Sequence, residues 1–321
     1  MISGGFAPGW RRNRKICQQV IKMEKLLLLI NPNAGKGGFR NRLGEVLMNF
    51  HRAGFSTTVA FTDKKGDAPR IAAENAGRFD RIVCVGGDGT LGETVSGLMT
   101  VDRRPSLGYI PMGTTNDCAT TLGLSHDPVI ASRTAAAGQP VPLDVGRFNG
   151  DRFFTYVAAF GAFTEVSYQT PQDQKMALGR LAYFLEALGR LPKLTHRWTK
   201  VEYDGGVLED DFIFGAVTNS RSVAGVIHLG NRVGVSLRDG LFEVILIRTP
   251  ESALQLGAIV TGILSNRFDS EYVMLLQARS VRFVFREEVP WTLDGEDGGS
   301  QTEVLCENIH EAVDIVVSRE T

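Results

Sequence analysis

The sequence predicts a two-part α/β chain, with a three-layer α/β domain on a parallel sheet followed by a β-rich, sandwich-like domain. From Lys25 onward, short apolar strands alternate with amphipathic stretches of helical length, the pattern of a parallel sheet wrapped by helices. Three of those strands run directly into glycine-rich loops. After Pro140 the texture changes to alternating, aromatic-rich segments separated by Gly-containing turns, which reads as antiparallel strands.

Taken in order, strands are expected at 25–30, 56–61, 81–85 and 107–110, with helices over 39–53, 67–77 and 90–99. Gly54 stops the first helix. The α/β domain therefore occupies 24–143 and the β-rich domain 144–307. Within the second, strands are expected at 152–160, 201–203, 212–218 and 241–248, and helices at 175–191 and 252–264. Strand-like segments at 302–306 and 312–318 follow, and the stretch from 308 to 321 is a candidate to return to the first domain. Residues 1–23 carry Arg11, Arg12, Arg14 and Lys15 but no apolar core, and are expected to be a disordered leader or to precede the true start.

Composition narrows the function. Of 321 residues, 43% are hydrophobic and 22% charged, enough to build cores and too apolar for a disordered chain. A formal net charge of −1 gives no whole-protein attraction to nucleic acid, and no nucleic-acid partner is expected. Cys17, Cys84, Cys118 and Cys306 form no C-x-x-C pair and no disulfide-framework spacing, which points to a reducing compartment. No apolar run approaches the roughly 18–20 residues of a spanning helix, so a cytoplasmic protein is expected. The five histidines show no metal-ligand spacing, and Ser220 and Ser222 sit in no G-x-S-x-G elbow.

The chemistry gathers in the loops. They read Asn31-Pro32-Asn33-Ala34-Gly35-Lys36-Gly37-Gly38, then Gly86-Gly87-Asp88-Gly89-Thr90, then Pro111-Met112-Gly113-Thr114-Thr115-Asn116-Asp117. In an open parallel sheet the carboxyl ends of the strands share one edge, so these loops converge on one crevice, where a nucleotide would sit. Glycines there leave backbone N–H groups free to face phosphate oxygens at a helix start. Asp88 cannot face phosphate alone, and is expected to hold Mg²⁺ or to orient a lysine or water. An ordinary tight βα turn is the competing reading. Neither a complete P-loop nor G-x-G-x-x-G is present, and Lys36 is followed by Gly37 instead of a hydroxyl.

In order, Asn31-Pro32 with Gly35-Lys36, the Gly-Gly-Asp-Gly-Thr run and Gly113-Thr114-x-Asn116-Asp117 resemble the catalytic-domain motifs of the diacylglycerol kinase family and the related sphingosine and bacterial lipid kinases. The middle motif is shared with NAD kinases. The resemblance continues through Asp144-Val145-Gly146, the helix start at Lys175, Asp239-Gly240-Leu241 and Asp294-Gly295-Glu296, covering about 24–318. The sequence departs from the family at Asn231-Arg232-Val233-Gly234, where proline and alanine are typical, and at Cys118, where an aromatic is common.

The resemblance implies an ATP-dependent lipid kinase with its active site in the cleft between the domains and diacylglycerol as the foremost acceptor. Asn31, Gly35, Gly86, Gly87, Asp88, Gly89, Thr90, Gly113, Thr114, Asn116 and Asp117 would bind ATP, although Asn116 and Asp117 also suit a helix cap. Asp88 and Asp144 would form an acidic network that organises Mg²⁺, bridged by Lys36 and Lys175. Glu296 would be the general base, with Asp294 beside it facing the same cleft; a plain Asp-Gly hairpin is the alternative there. The Asp239 carboxylate, with Ser236 and Leu241, would hold a structural magnesium. Peripheral contact with a lipid surface and a homodimer are implied at family level. An NAD kinase and a non-catalytic nucleotide-binding regulator are the competing functions.

Overall fold

The computed structural model describes residues 23–161, 197–223, 227–229, 236–265, 267–268 and 270–319. The helix expected at 175–191, with Lys175, and the leader lie outside them.

The first part alternates strands and helices: β1 (Glu24–Ile30), α1 (Leu43–Arg52), β2 (Phe55–Phe61), α2 (Asp67–Asn75), β3 (Arg81–Gly86), α3 (Asp88–Leu98), β4 (Ser106–Pro111), α4 (Asp117–Thr121) and α5 (Pro128–Ala137). The strands pair in parallel in the order β4-β3-β1-β2. Successive residues of a strand point to opposite faces, so Leu26, Leu28 and Ile30 pack under α1 and α5 while Leu27 joins α2 and α3 on the other side. A stretch of strand buried on both faces has to be apolar, which is why β1 runs from four leucines into Ile30 once past its exposed Glu24 and Lys25.

Two local expectations change. The helix predicted over 39–53 is split into a 3₁₀ segment, Gly35–Arg42, and α1. Gly35, Gly37 and Gly38 weaken α-helix formation at that end. Helix α5 was not anticipated, although Asp127-Pro128 announces it: the Asp127 carboxylate accepts the Val129 and Ile130 N–H groups, and proline occupies the first turn.

The second part contains β5 (Gln139–Phe148), β6 (Arg152–Phe154), β7 (Val157–Gly161), β8 (Arg197–Tyr203), β9 (Gly206–Thr218), β10 (Ser222–Val223), β11 (Ile227–His228), β12 (Phe242–Arg248), α6 (Ala253–Leu264), β13 (Val273–Ala278), β14 (Ser280–Leu293) and β15 (Glu296–Val317). Its strands fold around an aromatic core in which Trp291 contacts Phe148, Phe160, Phe283 and Phe285. The opposite face of β7, β9 and β12 is covered by α6 through Ile259 and Ile263.

The two parts are continuous in hydrogen bonding. The 22-residue β15 pairs antiparallel with β14 in its first half and with β5 along its second. Near its end Ile315 also pairs in parallel with Leu107 of β4. The strand-like segments expected at 302–306 and 312–318 are thus one strand, bent at a bulge between Ile309 and Val313.

Trp291 is 1% exposed and its indole N–H has no partner among the described residues. Trp291→Ala is expected to cost about 3–5 kcal/mol in urea unfolding, from lost burial plus the cavity left behind. Trp291→Phe should cost less than half of that, because the void is smaller and a buried orphan donor is removed.

Candidate active site

The three glycine-rich loops do meet. The Asn31 side chain donates to Thr90 Oγ1 (3.0 Å) and accepts the Asn33 N–H (3.0 Å), tying the first loop to the second. Gly87 and Gly113 pack backbone to backbone: a Cβ on Gly113 would lie 2.6 Å from the Gly87 Cα, so neither position has room for a side chain. Gly86 closes β3, Gly89 lies in the first turn of α3, Gly35 and Lys36 open the 3₁₀ segment, and Thr114 is exposed on the third loop.

Asn116 adopts the left-handed conformation (φ 52°) and is buried. Its carboxamide accepts from Gly113 N–H (2.8 Å) and Tyr109 OH (3.3 Å) and donates to Gly113 O (2.9 Å). The side chain therefore builds the loop from within; it makes no capping bond to α4.

Asp88 instead supports α4, its carboxylate accepting the N–H groups of Asp117 (3.0 Å) and Cys118 (3.2 Å). Burial, then the neighbouring charge of Asp117, pushes the Asp88 carboxyl up to about 6 against those two bonds, with Asp294 adding to the rise. Asp117 is itself buried and accepts a 2.6 Å hydrogen bond from Tyr156 OH.

Tyr156 belongs to the turn between β6 and β7, and that turn is wrapped around Asp294. The Asp294 carboxylate accepts from Thr155 N–H (2.8 Å), Thr155 Oγ1 (2.9 Å), Tyr156 N–H (2.9 Å) and Val157 N–H (2.9 Å). Burial raises its pKa and the four bonds oppose the rise. A methyl group on Gly92 of α3 would overlap this carboxylate, so the helix of the first part touches it directly.

Asp294 and Glu296 line one cavity, but their carboxylates have different partners. Asp294 (φ 51°) and Gly295 (φ 85°) form the two-residue hairpin turn joining β14 to β15, with both central residues at positive φ. That turn sends Asp294 inward. Glu296 emerges half exposed and pairs with Lys65 from the loop after β2, Nζ to Oε2 2.6 Å. Lys65, Gly89, Gly92, Glu93, Asp294 and Glu296 line part of a cavity of about 470 Å³ between α2, α3 and this hairpin.

Asp144 has a set of contacts of its own. Fully buried, it accepts from Gly240 N–H (2.7 Å) and Glu311 N–H (2.8 Å), and its Oδ1 lies 2.9 Å from His310 Nδ1. The pairing of Val145 with Ile309 holds β5 against the bulge of β15, so the carboxylate fastens that bulge to the 236–241 turn. The charges that perturb Asp88 are Asp117 and Asp294. In that turn, Asp239 accepts the Leu241 N–H and Ser236 accepts the Arg238 N–H, the bonds of an ordinary Asx-type turn. Among the described residues no group of three His, Cys, Asp or Glu side chains gathers to hold a metal.

Sequence reasoning missed Lys65, Glu93, Thr155 and Tyr156. Lys65-Gly66-Asp67 carried a turn signal, but Tyr156 contacts Asp117 from 39 positions away and nothing local announces it.

Glycine-rich loops at the carboxyl edge of a parallel sheet, facing acidic groups completed by a β-rich second domain, define a nucleotide-dependent phosphotransferase. The model of the diacylglycerol kinase catalytic domain matches residues 25–148, and that of the YegS C-terminal NAD kinase beta sandwich-like domain matches 158–317. A Bacillus subtilis (strain 168) diacylglycerol kinase is 33% identical over 300 residues, spanning 93% of this chain and 98% of that protein. One from Staphylococcus carnosus is 35% identical over 275 residues, spanning 85% and 88%. A solved structure of a candidate diacylglycerol kinase from Bacillus anthracis str. Sterne superposes with a TM-score of 0.80 at 27% identity, covering 93% of this chain and 97% of that one. The chain belongs to the diacylglycerol kinase family and is an ATP-dependent lipid kinase. No helix among the described residues is long and apolar enough to cross a membrane.

Asp88 gives a pH test of the site. Its folded pKa lies above the unfolded value near 3.8, so the unfolded chain loses its proton first. The associated stability is present below pH 3.8, is lost as pH rises to about 6, and amounts to at most roughly 3 kcal/mol. In EDTA, Asp88→Asn should therefore gain thermal stability relative to wild type as pH rises across that window. A difference independent of pH would show that Asp88 keeps ordinary acidity.

Proposed function

We propose that the chain transfers the γ-phosphate of ATP to the free hydroxyl of diacylglycerol, forming phosphatidic acid, at a lipid surface that it contacts peripherally. The relatives' names motivate the acceptor. The observation that carries the mechanism is the junction of Asp88, Asp117, Tyr156 and Asp294, which joins the nucleotide loops to the wall that bears Glu296.

Phosphoryl transfer asks a protein for positioning, charge neutralisation and a proton acceptor. The three loops supply backbone N–H groups toward the phosphates, with Gly87 and Gly113 allowing close approach. Asp88 and Asp117 fit Mg²⁺, which commonly takes one or two carboxylates and keeps water in its other positions. Bound with the nucleotide, the metal would supply charge neutralisation at the phosphates. Burial, and then the neighbouring charge of Asp117, push the Asp88 carboxyl up, and a cation bound there would offset the second of these. Asp294, with its oxygens occupied by four donors, fixes the β6–β7 turn and through it Tyr156. Glu296, half exposed at the cavity, accepts the proton of the lipid hydroxyl as its oxygen attacks phosphorus.

γ-labelled ATP, Mg²⁺ and vesicles containing diacylglycerol test this directly. Label should enter an organic-soluble product with the mass of phosphatidic acid, and Asp88→Ala should abolish it. Glu296→Gln should lower kcat by about 10²–10⁴-fold with unchanged folding. Near-normal turnover in that variant would remove Glu296 as the base, and label in another lipid alcohol would replace the acceptor.

A further inference from the structure

Lys65 sits on the loop between β2 and α2, and the groups around it hold that loop still. The Asp67 carboxylate accepts both the Asp63 and Lys64 N–H groups at 3.0 Å. Arg70, then those two bonds, holds the Asp67 carboxyl down to about 2. Gly66 takes φ 85°, a conformation that favours glycine, and its N–H donates to Glu93 of α3. The result is a short loop fixed on both flanks that presents one ammonium group across the cavity.

That ammonium meets Glu296 at 2.6 Å, although the two residues are 231 positions apart and reach the cavity from opposite walls. Their side chains are 68% and 50% exposed. A pair so exposed adds little to folding, too little to explain the structure devoted to it. The other cations lining the cavity have different partners: Arg70 bonds Asp67 and Glu74, and Arg152 donates to the backbone carbonyls of Asp297 and Gly298. Glu93 from α3 and Asp297 from β15 add negative charge around Lys65, and Asp151 lines the same cavity beside β6. Lys65 is thus the cation of the cavity lining that is set against the Glu296 carboxylate.

We propose that Lys65 is a positioning residue for phosphoryl transfer, holding the Glu296 carboxylate oriented at the cavity wall where the acceptor hydroxyl arrives. The inference rests on Glu296 as the general base. In the step it serves, the hydroxyl proton passes to the Glu296 carboxylate as the oxygen–phosphorus bond forms. The bond from the γ-phosphorus to the bridging oxygen breaks, and its electron pair leaves with ADP. The ammonium takes no proton and touches neither reacting oxygen. It fixes the carboxylate geometry before attack.

Lys65→Met, Lys65→Arg and Glu296→Gln in the full chain, assayed with Mg·ATP and diacylglycerol vesicles over acidic to mildly alkaline pH, test this. Lys65→Met should lower kcat about tenfold with KM for ATP unchanged. Lys65→Arg should restore kcat. Because Lys65 is exposed, its variants should melt like wild type. A wild-type kcat in Lys65→Met, while Glu296→Gln has lost turnover, overturns the positioning role and leaves the base intact. A raised KM for ATP with an unchanged kcat overturns it too, by assigning Lys65 to the nucleotide. Normal turnover in Glu296→Gln instead removes the base reading on which the inference stands.

Discussion

A carboxylate buried away from water must be met by donors, and the arrangement around Asp294 follows from that requirement. Four hydrogen bonds from Thr155, Tyr156 and Val157 satisfy it, and they can do so only if the β6–β7 turn curls around the hairpin between β14 and β15. The same curl aims Tyr156 at Asp117, while Gly92 leaves α3 room to approach. One buried charge thereby fixes the wall of the second part against the loops of the first. Removing its donors would leave an uncompensated charge in the interior, which is far costlier than the loss of any single surface contact.

Electrostatics gives this junction its chemical character. Burial first, and then the neighbouring charge of Asp117, make Asp88 hold its proton more tightly. Such a pair favours a ligand that brings positive charge, and the glycine backbones nearby favour one that brings phosphate. The more exposed pair of Lys65 and Glu296, across the cavity, is better placed to respond to substrate than to hold the fold. Structural and chemical roles are thus divided between two carboxylates only two residues apart, because a positive-φ turn separates their directions.

Much of this was legible along the chain. The parallel order of β1 to β4 shows in the alternation of apolar strands with helices, and the loops that follow β1, β3 and β4 are marked by their glycines. Gly113-Thr114-x-Asn116-Asp117 was visible as a motif, but the inward turn of the Asn116 carboxamide depends on a left-handed backbone and on Tyr109. Asp144 was visible in the run Asp144-Val145-Gly146, yet its partners are brought to it from afar, His310 and Glu311 by a bulge in β15 and Gly240 by the 236–241 turn. Spacing carries no record of which face a bulged strand presents.

The sequence by itself determined the fold class, the loops and the family, because these rest on local periodicity, turn chemistry and ordered motifs that span a few residues each. Only the tertiary structure decided which carboxylates meet. Asp88 stands with Asp117 and Asp294, Asp144 belongs to a structural junction, and Glu296 finds Lys65 from the opposite wall. Those choices depend on strand register and on the sign of φ at single turn residues. Both are settled by burial and hydrogen bonding between segments distant in sequence, and no local pattern records them.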